Sequence, residues 1–300
     1  MQFQYIFISL VSFFVALILS FLFKRASLKY NILAPKKIPL VGGLSFSIAI
    51  VLACFGSYFL DKAMRGILFS SLIVLISGIF DDWQELSIAA KFFTQFIATL
   101  VLVLSGVRTH IIYIGDAANI VITFIWVIGI TNAFNFLDII DGLAGSVAFI
   151  VGICFSALLI LSGNSIPLAL TLSVSAAVLA FLIFNFPPAK IYMGNAGSHF
   201  LGFIFAALAM NIHFASMEHK IALICPLLIL GLPIFDVLFV IFMRIRAKKL
   251  PFNKILSVLT AEMKQVSIVV ENKIIYFLGT AKPTDFGFSL KDLKLNSTPI

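Results

Sequence analysis

Charge is what this chain has least of. Only 11% of its 300 residues are Asp, Glu, Lys or Arg, 61% are hydrophobic, and the mean hydropathy is +1.13. A soluble domain carries about a quarter of its residues charged, so that class is excluded. Cysteine is scarce as well: Cys54, Cys154 and Cys225 stand singly inside apolar runs, which leaves neither a disulfide framework nor a zinc spacing. The 4 histidines are scattered, which excludes a multi-histidine metal centre. Internal repeats and low-complexity linkers are missing too, and one helical domain is the simplest organisation.

What the chain does have is runs of about 20 nearly uncharged residues, long enough to cross roughly 30 Å of hydrocarbon. About nine spans are predicted, near residues 4–23, 40–60, 64–80, 90–106, 119–137, 142–163, 165–186, 198–216 and 220–243. Helices satisfy their own backbone in lipid, so the expected fold class is all-α: a polytopic membrane helix bundle. The first run lacks a basic region ahead of it and a small-residue cleavage site, and reads as a retained span rather than a signal peptide. Residues 1–254 make up the transmembrane domain. Residues 255–300 form a different, cytoplasmic or interfacial tail, in which "QVSIVVENKIIYFLG" (265–279) carries Glu271 and Lys273 and reads as short strands or an interfacial segment.

The basic residues segregate when loops are assigned alternately to two sides. Lys24, Arg25, Lys29, Lys36, Lys37, Lys91, Lys190, Arg244, Arg246, Lys248, Lys249 and Lys254 fall on one side, and Lys62, Arg65, Arg108 and Lys220 on the other. The positive-inside rule makes the richer side cytoplasmic, with the N-terminus outside. The net charge of +8 is thereby assigned to topology and not to nucleic acid.

The polar clusters fall on that same side. They are "GIFDDWQE" (78–85), "NAFNFLDIIDG" (132–142), "FNFPPAKIYMGNAGSHF" (184–200) and "PIFDVLFVIFMRIRAKK" (233–249). Asp81 and Asp82 are either a solvated helix end or a functional pair. Acids at a helix C-terminus oppose its dipole, and adjacent carboxylates repel unless a cation or proton intervenes. Asp138 and Asp141 share a face with Asn132 and Asn135 if the fifth helix runs through them; otherwise Asp141–Gly142 makes a turn. Charged groups at membrane depth are costly enough to be functional candidates by default. The "MGNAGS" loop, with Gly194, Gly197 and Ser198, opens a helix whose N–H groups favour an anion. Lys190, Lys36, Lys37 and Arg244 are candidate phosphate partners. Asp236 is either a site residue or a helix-packing acid, and His199 reads as an interfacial histidine. Hard oxygen donors beside an anion-friendly helix end suit a Mg²⁺-assisted diphosphate site, with Mn²⁺ as a substitute.

With "PLVGG" (39–43) ahead of them, "GIFDDWQELSIAAKFFTQ" (78–95), "NAFNFLDIIDGLAG" (132–145) and "YMGNAGSHFLGF" (192–203) stand in an ordered series. Over about residues 5–252 the chain resembles the polyprenyl-phosphate N-acetylhexosamine-1-phosphate transferases, a superfamily that includes the undecaprenyl-phosphate GlcNAc-1-phosphate transferases and the phospho-MurNAc-pentapeptide transferase. The resemblance implies that a polyprenyl (undecaprenyl) phosphate attacks the β-phosphate of a UDP-amino sugar and releases UMP. This would be the first membrane step of cell-envelope glycan synthesis, at the cytoplasmic face of a bacterial inner membrane, in a chain that could pair as a homodimer. It also implies that Asp81 and Asp82 handle Mg²⁺ or deprotonate the lipid phosphate, and that Asp138 and Asp141 line the nucleotide–metal site. Asp82, Asp141 and Asn195 would be the metal ligands. The chain departs from the family at Asn195, where Asp is usual, in its short first basic loop, and in having no histidine after His219 and no apolar run after the ninth. Two other readings stand beside the enzyme. One is a lipid-phosphate-binding homologue without turnover. The other is a cation-coupled transporter, which would place its acids at the midplane and show repeated halves.

Overall fold

With no water in the bilayer core, each apolar run has to pair its backbone internally, and it does so as a helix. A computed structural model describes residues 2–34, 38–55, 61–112, 114–212 and 221–246, and among the described residues every regular element is α-helical. In chain order these are α1 (Gln2–Tyr30), α2 (Gly42–Phe55), α3 (Lys62–Trp83), α4 (Ile88–Leu104), α5 (Gly115–Leu137), α6 (Leu143–Leu161), α7 (Ser165–Asn185), α8 (Gly194–Asn211), α9 (Ile221–Ile229) and α10 (Gly231–Arg246). Five of them, α1, α3, α5, α6 and α7, are long and apolar enough to cross a membrane, and this is a multi-pass membrane protein. Each of the first eight predicted apolar runs overlaps one helix, α1–α8 in order, over the described residues.

The ninth differs, because a single span is predicted where α9 and α10 meet at a break. Pro226 lies inside α9, and Leu230 N–H still closes onto Pro226 O at 3.0 Å. Pro233 then falls in the first turn of α10, where its missing N–H costs nothing but where a continuous helix would lose a bond. The tail beyond residue 246, including the 265–279 segment, lies outside the described residues.

The bundle is organised around α8, which is buried almost throughout, from Gly194 to Ala209. A helix apolar on all sides belongs at the centre of a bundle, and α2, α3 and α5 pack around it while α1 and α6 pack on α7. Small residues permit the closest approaches. A Cβ on Gly43 would run into the backbone of Gly197, so α2 and α8 touch main chain to main chain. Gly78 of α3 lies against Ala196 in the same way. Buried serines tie α1 to α7: Ser12 Oγ donates to Ser173 O at 2.8 Å and accepts from Ser173 Oγ at 3.0 Å. The outer faces carry large apolar side chains such as Phe7, Phe14, Phe93 and Leu104, as lipid contact requires.

Candidate active site

The α3–α4 corner separates two adjacent, identical residues. Asp81 is buried, its Oδ2 ion-paired with Lys91 Nζ at 2.6 Å and its Oδ1 accepting Leu86 N–H at 2.8 Å. Its carboxylate is spent on closing the corner. Asp82, rotated about 100° further around α3, faces α8 instead. Asp82 Oδ1 accepts the Asn195 N–H at 2.8 Å and Oδ2 accepts the Ala196 N–H at 3.1 Å. Gly194 precedes them with φ +73°, a left-handed conformation that glycine adopts freely, and a Cβ there would sit 2.5 Å from Asp82 Oδ2. Its own N–H lies near enough to the Asp138 carboxyl to favour that group's charged form.

The N-terminal amides of α8 are therefore already taken by carboxylates from α3 and from the end of α5. The expected preference of this helix end for an anion is met here by carboxylate oxygens. The helix end does attract anions, but the anions are the protein's own aspartates, held there as fixed walls of a site.

Of the two alternatives for Asp138 and Asp141, the structure has the turn. Helix α5 ends at Leu137, and Asp138 takes φ −80°, ψ +45° as its C-cap. Residues 138–142 form a turn that ends at Gly142, φ +77°. Asp141 reaches the same site from this turn and not from the helix face. Asn185 braces the turn by accepting Gly142 N–H at 3.0 Å and donating to Ile191 O at 2.9 Å, and Asp141 Oδ2 accepts Ala189 N–H at 3.0 Å. The "PLVGG" segment is laced to the loop before α8 by main chain: Tyr192 N–H to Pro39 O at 2.8 Å, Gly42 N–H to Tyr192 O at 2.9 Å and Gly43 N–H to Met193 O at 2.9 Å.

Together these ends enclose a cavity of about 320 Å³. Its polar walls are the carboxylates of Asp82, Asp138 and Asp141 and the amides of Asn135, Asn185 and Asn195; Leu40, Ile139, Ile140, Tyr192 and Gly194 complete it. Burial holds the Asp138 carboxyl well above its usual 3.8, and the neighbouring charges of Asp82 and Asp141 push it the same way, against the Gly194 N–H. Burial likewise raises the Tyr192 hydroxyl, with Asp141 and Asp138 adding to it. Carboxylates crowded this way favour a proton or a cation among them.

Of the residues picked out in the sequence, Asp82, Asn135, Asp138, Asp141, Gly194 and Asn195 meet in this cavity. The others lie elsewhere. Asn132 donates to Gln95 Oε1 at 2.8 Å, linking α5 to α4. Gly197 packs on Gly43, and Ser198 is buried behind Asn135, whose Nδ2 it accepts at 3.0 Å. Lys190 is exposed, away from the lining. Asp236 is buried in α10 outside the lining, and His199 is buried in α8. Lys36 and Lys37 lie outside the described residues, as does the Arg244 side chain. Sequence reasoning missed Asn185 and Tyr192. An asparagine closing an apolar helix just before "FPP" was the available signal for the first.

Comparison with known proteins now decides the family. The model for "Glycosyl transferase family 4" matches residues 64–213, half of the chain. The chain belongs to glycosyl transferase family 4. It is 33% identical over 259 residues to a Bacillus subtilis protein named a probable undecaprenyl-phosphate N-acetylglucosaminyl 1-phosphate transferase, covering 80% of this chain and 72% of the relative. A Mycobacterium tuberculosis decaprenyl-phosphate N-acetylglucosaminephosphotransferase is 30% identical over 72% of this chain and 62% of its own length. An undecaprenyl-phosphate alpha-N-acetylglucosaminyl 1-phosphate transferase from Thermotoga maritima is 26% identical over 82% of this chain and 76% of its own. The family match runs from α3 to just past α8, and so contains every carboxylate of the cavity.

Proposed function

We propose that the protein transfers an N-acetylhexosamine 1-phosphate from a UDP-sugar to a polyprenyl phosphate and releases UMP. The observation that carries this reading is the convergence of three carboxylates and three amides on one cavity at the ends of membrane-spanning helices. The cavity's position at span ends lets a lipid acceptor arrive from the bilayer and a nucleotide donor from water. The names of the relatives in Bacillus and Thermotoga support the substrates, with N-acetylglucosamine as the first sugar to test. In the proposed step an oxygen of the lipid phosphate forms the new bond to the donor's β-phosphorus. The bridging bond to the α-phosphate breaks, and UMP leaves with that electron pair.

The residues present fit a hard divalent cation, by the chemistry of the donor set. Among the described residues no three His, Cys, Asp or Glu side chains make a ready cage, but Mg²⁺ takes one or two carboxylates, water and substrate phosphate oxygens. Asp141 and Asp138, with Asp82, would hold it, and when bound it supplies charge neutralisation between two phosphorylated reactants. The protein's own share is positioning. The α8 amides fix Asp82, Ala189 N–H fixes Asp141, and Asp138, whose carboxyl is raised by burial, is the group suited to hold a proton. Asp81, committed to Lys91, keeps the α3–α4 corner closed and so holds Asp82 in place.

The wider setting follows from the charge distribution. By alternation along the sequence, twelve basic residues are assigned to the same side as the motifs that line the cavity, which supports a cytoplasmic active site and an outer N-terminus in a bundle of about nine spans in a bacterial inner membrane. In the experiment, purified protein in detergent with undecaprenyl phosphate, Mg²⁺ and radiolabelled UDP-GlcNAc should release UMP, and Asp82→Asn should stop it. Absence of turnover across a panel of UDP-amino sugars, with lipid phosphate still bound, would favour the non-catalytic homologue. Asn195 is the observation that keeps that second reading in view.

A further inference from the structure

Position 195 is expected from the family resemblance to ligate the cation, and its hydrogen bonds say which atom of its side chain is free to do so. Ser198 Oγ has one proton and donates it to Gly194 O at 3.1 Å. It accepts from Asn135 Nδ2 at 3.0 Å. The same Nδ2 lies 2.7 Å from the Asn195 side chain, so the Asn195 atom it faces is the oxygen, since two –NH₂ groups would not approach so closely. The hydrogen bonds thus run from Asn135 Nδ2 to both Asn195 Oδ1 and Ser198 Oγ. The Asn195 oxygen is occupied by Asn135, and the Asn195 Nδ2 has no protein partner among the described residues while the residue lines the cavity.

We propose that Asn195 does not ligate the cation but turns its –NH₂ into the cavity as a hydrogen-bond donor to a non-bridging oxygen of the donor's diphosphate. The inference rests on the phosphotransfer reading above. A carboxylate at this position could accept from Asn135 with one oxygen and give its other, charged oxygen to a metal ion. An amide oxygen is neutral, and here it already accepts the Asn135 N–H, so it competes poorly with charged oxygens for a metal ion. The three aspartates nearby offer charged oxygens that a divalent cation takes first. They also stabilise the positive end of the amide where it is. Residue 195 thus sets how the chain divides the diphosphate's charge between cation and protein.

The test uses the full-length protein in detergent, with Mn²⁺ binding followed by electron paramagnetic resonance and UDP binding by calorimetry at saturating Mg²⁺. Asn195→Ala should leave Mn²⁺ affinity within about twofold of the wild type and weaken UDP by about tenfold or more, the loss of one hydrogen bond to an anion. Asn195→Asp should tighten Mn²⁺ roughly tenfold, because a charged oxygen joins the ligand set. A fivefold or greater loss of Mn²⁺ affinity in Asn195→Ala, or unchanged UDP affinity in that variant, would overturn the assignment. Asp141→Asn and Asp138→Asn serve as the separate check on the cation site. If neither weakens Mn²⁺ while Asn195→Ala still weakens UDP, the metal reading fails and the donor role stands.

Discussion

Both ends of this helix bundle are made from polar side chains at helix termini, yet they are finished differently. Between α4 and α5, buried Asn119 has all its polar atoms in use: Oδ1 accepts Ile111 N–H at 2.8 Å, and Nδ2 donates to Ile111 O at 3.0 Å and Gly115 O at 2.9 Å. Thr109 and Thr123 hydroxyls each donate to Asn119 O at 2.8 Å, Thr123 Oγ1 accepts the Thr109 N–H at 3.0 Å, and Arg108 meets Asp116 at 3.0 Å in solvent. At the other end, three carboxylates face one cavity, with no lysine or arginine among its described lining residues. A network that closes on itself contributes order. Carboxylates left crowded together cost stability, and they persist where a ligand supplies the missing charge.

Substitutions can break that contrast, and the largest effect should come from the open end. Asp82→Asn should lower UMP release by roughly a thousandfold, the scale seen when a positioned charge is lost from an active site. Asn119→Ala should leave release per folded molecule within about twofold, because no substrate reaches it. Equal losses in the two would erase the distinction between them.

Packing between the ends comes next. Gly43→Ala should cost about 3 kcal/mol, since its Cβ meets the α8 backbone, which cannot give way. Gly129→Ala, where a Cβ meets nothing within 4 Å, should be neutral or stabilising by up to about 1 kcal/mol. Thermal unfolding in detergent compares the pair, and similar Tm values for both would refute the close approach of α2 and α8. By the same measurement Asn119→Ala should destabilise by about 2 kcal/mol, the cost of leaving backbone partners unmet.

Asp138 sharpens the contrast through pH. Its carboxyl titrates above 3.8 in the fold, so the native state holds the proton more tightly than the unfolded chain does. That contribution to stability is fully present below 3.8 and is lost as pH rises through the raised value. Metal-free protein should therefore show a Tm that falls over this window, and Asp138→Asn should flatten the fall. A rise in Tm, or a slope the substitution leaves unchanged, would contradict the crowding of charge in the cavity. The smallest effect belongs to Arg108→Ala, which removes an exposed ion pair and should cost under about 1 kcal/mol.

The parts legible in the sequence were those that depend on sums along it. Eight predicted runs each overlap one helix, α1–α8 in order, and the one that did not was interrupted by two prolines, a signal present but outweighed by the length of the apolar run. The residues of the acidic motifs were legible; their division of labour was not. Asp81 and Asp82 are the same residue type one position apart, and only the neighbours, Lys91 for one and the α8 amides for the other, separate a corner brace from a cavity wall. The stripe at 132, 135 and 138 kept helical spacing, but the helix stops at Leu137, and Asp141 arrives through a turn closed by Gly142 and Asn185. Asn185 lies 43 residues from the glycine it holds, beyond any local pattern.

By itself, the chain's order of apolar, acidic and basic residues determined a multi-span helical protein with its chemistry gathered at one end. Hydropathy and charge add up residue by residue, and a bilayer of fixed thickness reads those sums directly. Only the packing of α3, α5 and α8 decided which acid faces the cavity, which one braces a corner, and which atom of Asn195 is free. Those are questions of direction, settled between groups as far apart as the 113 residues from Asp82 to Asn195, and direction exists only once the helices have met.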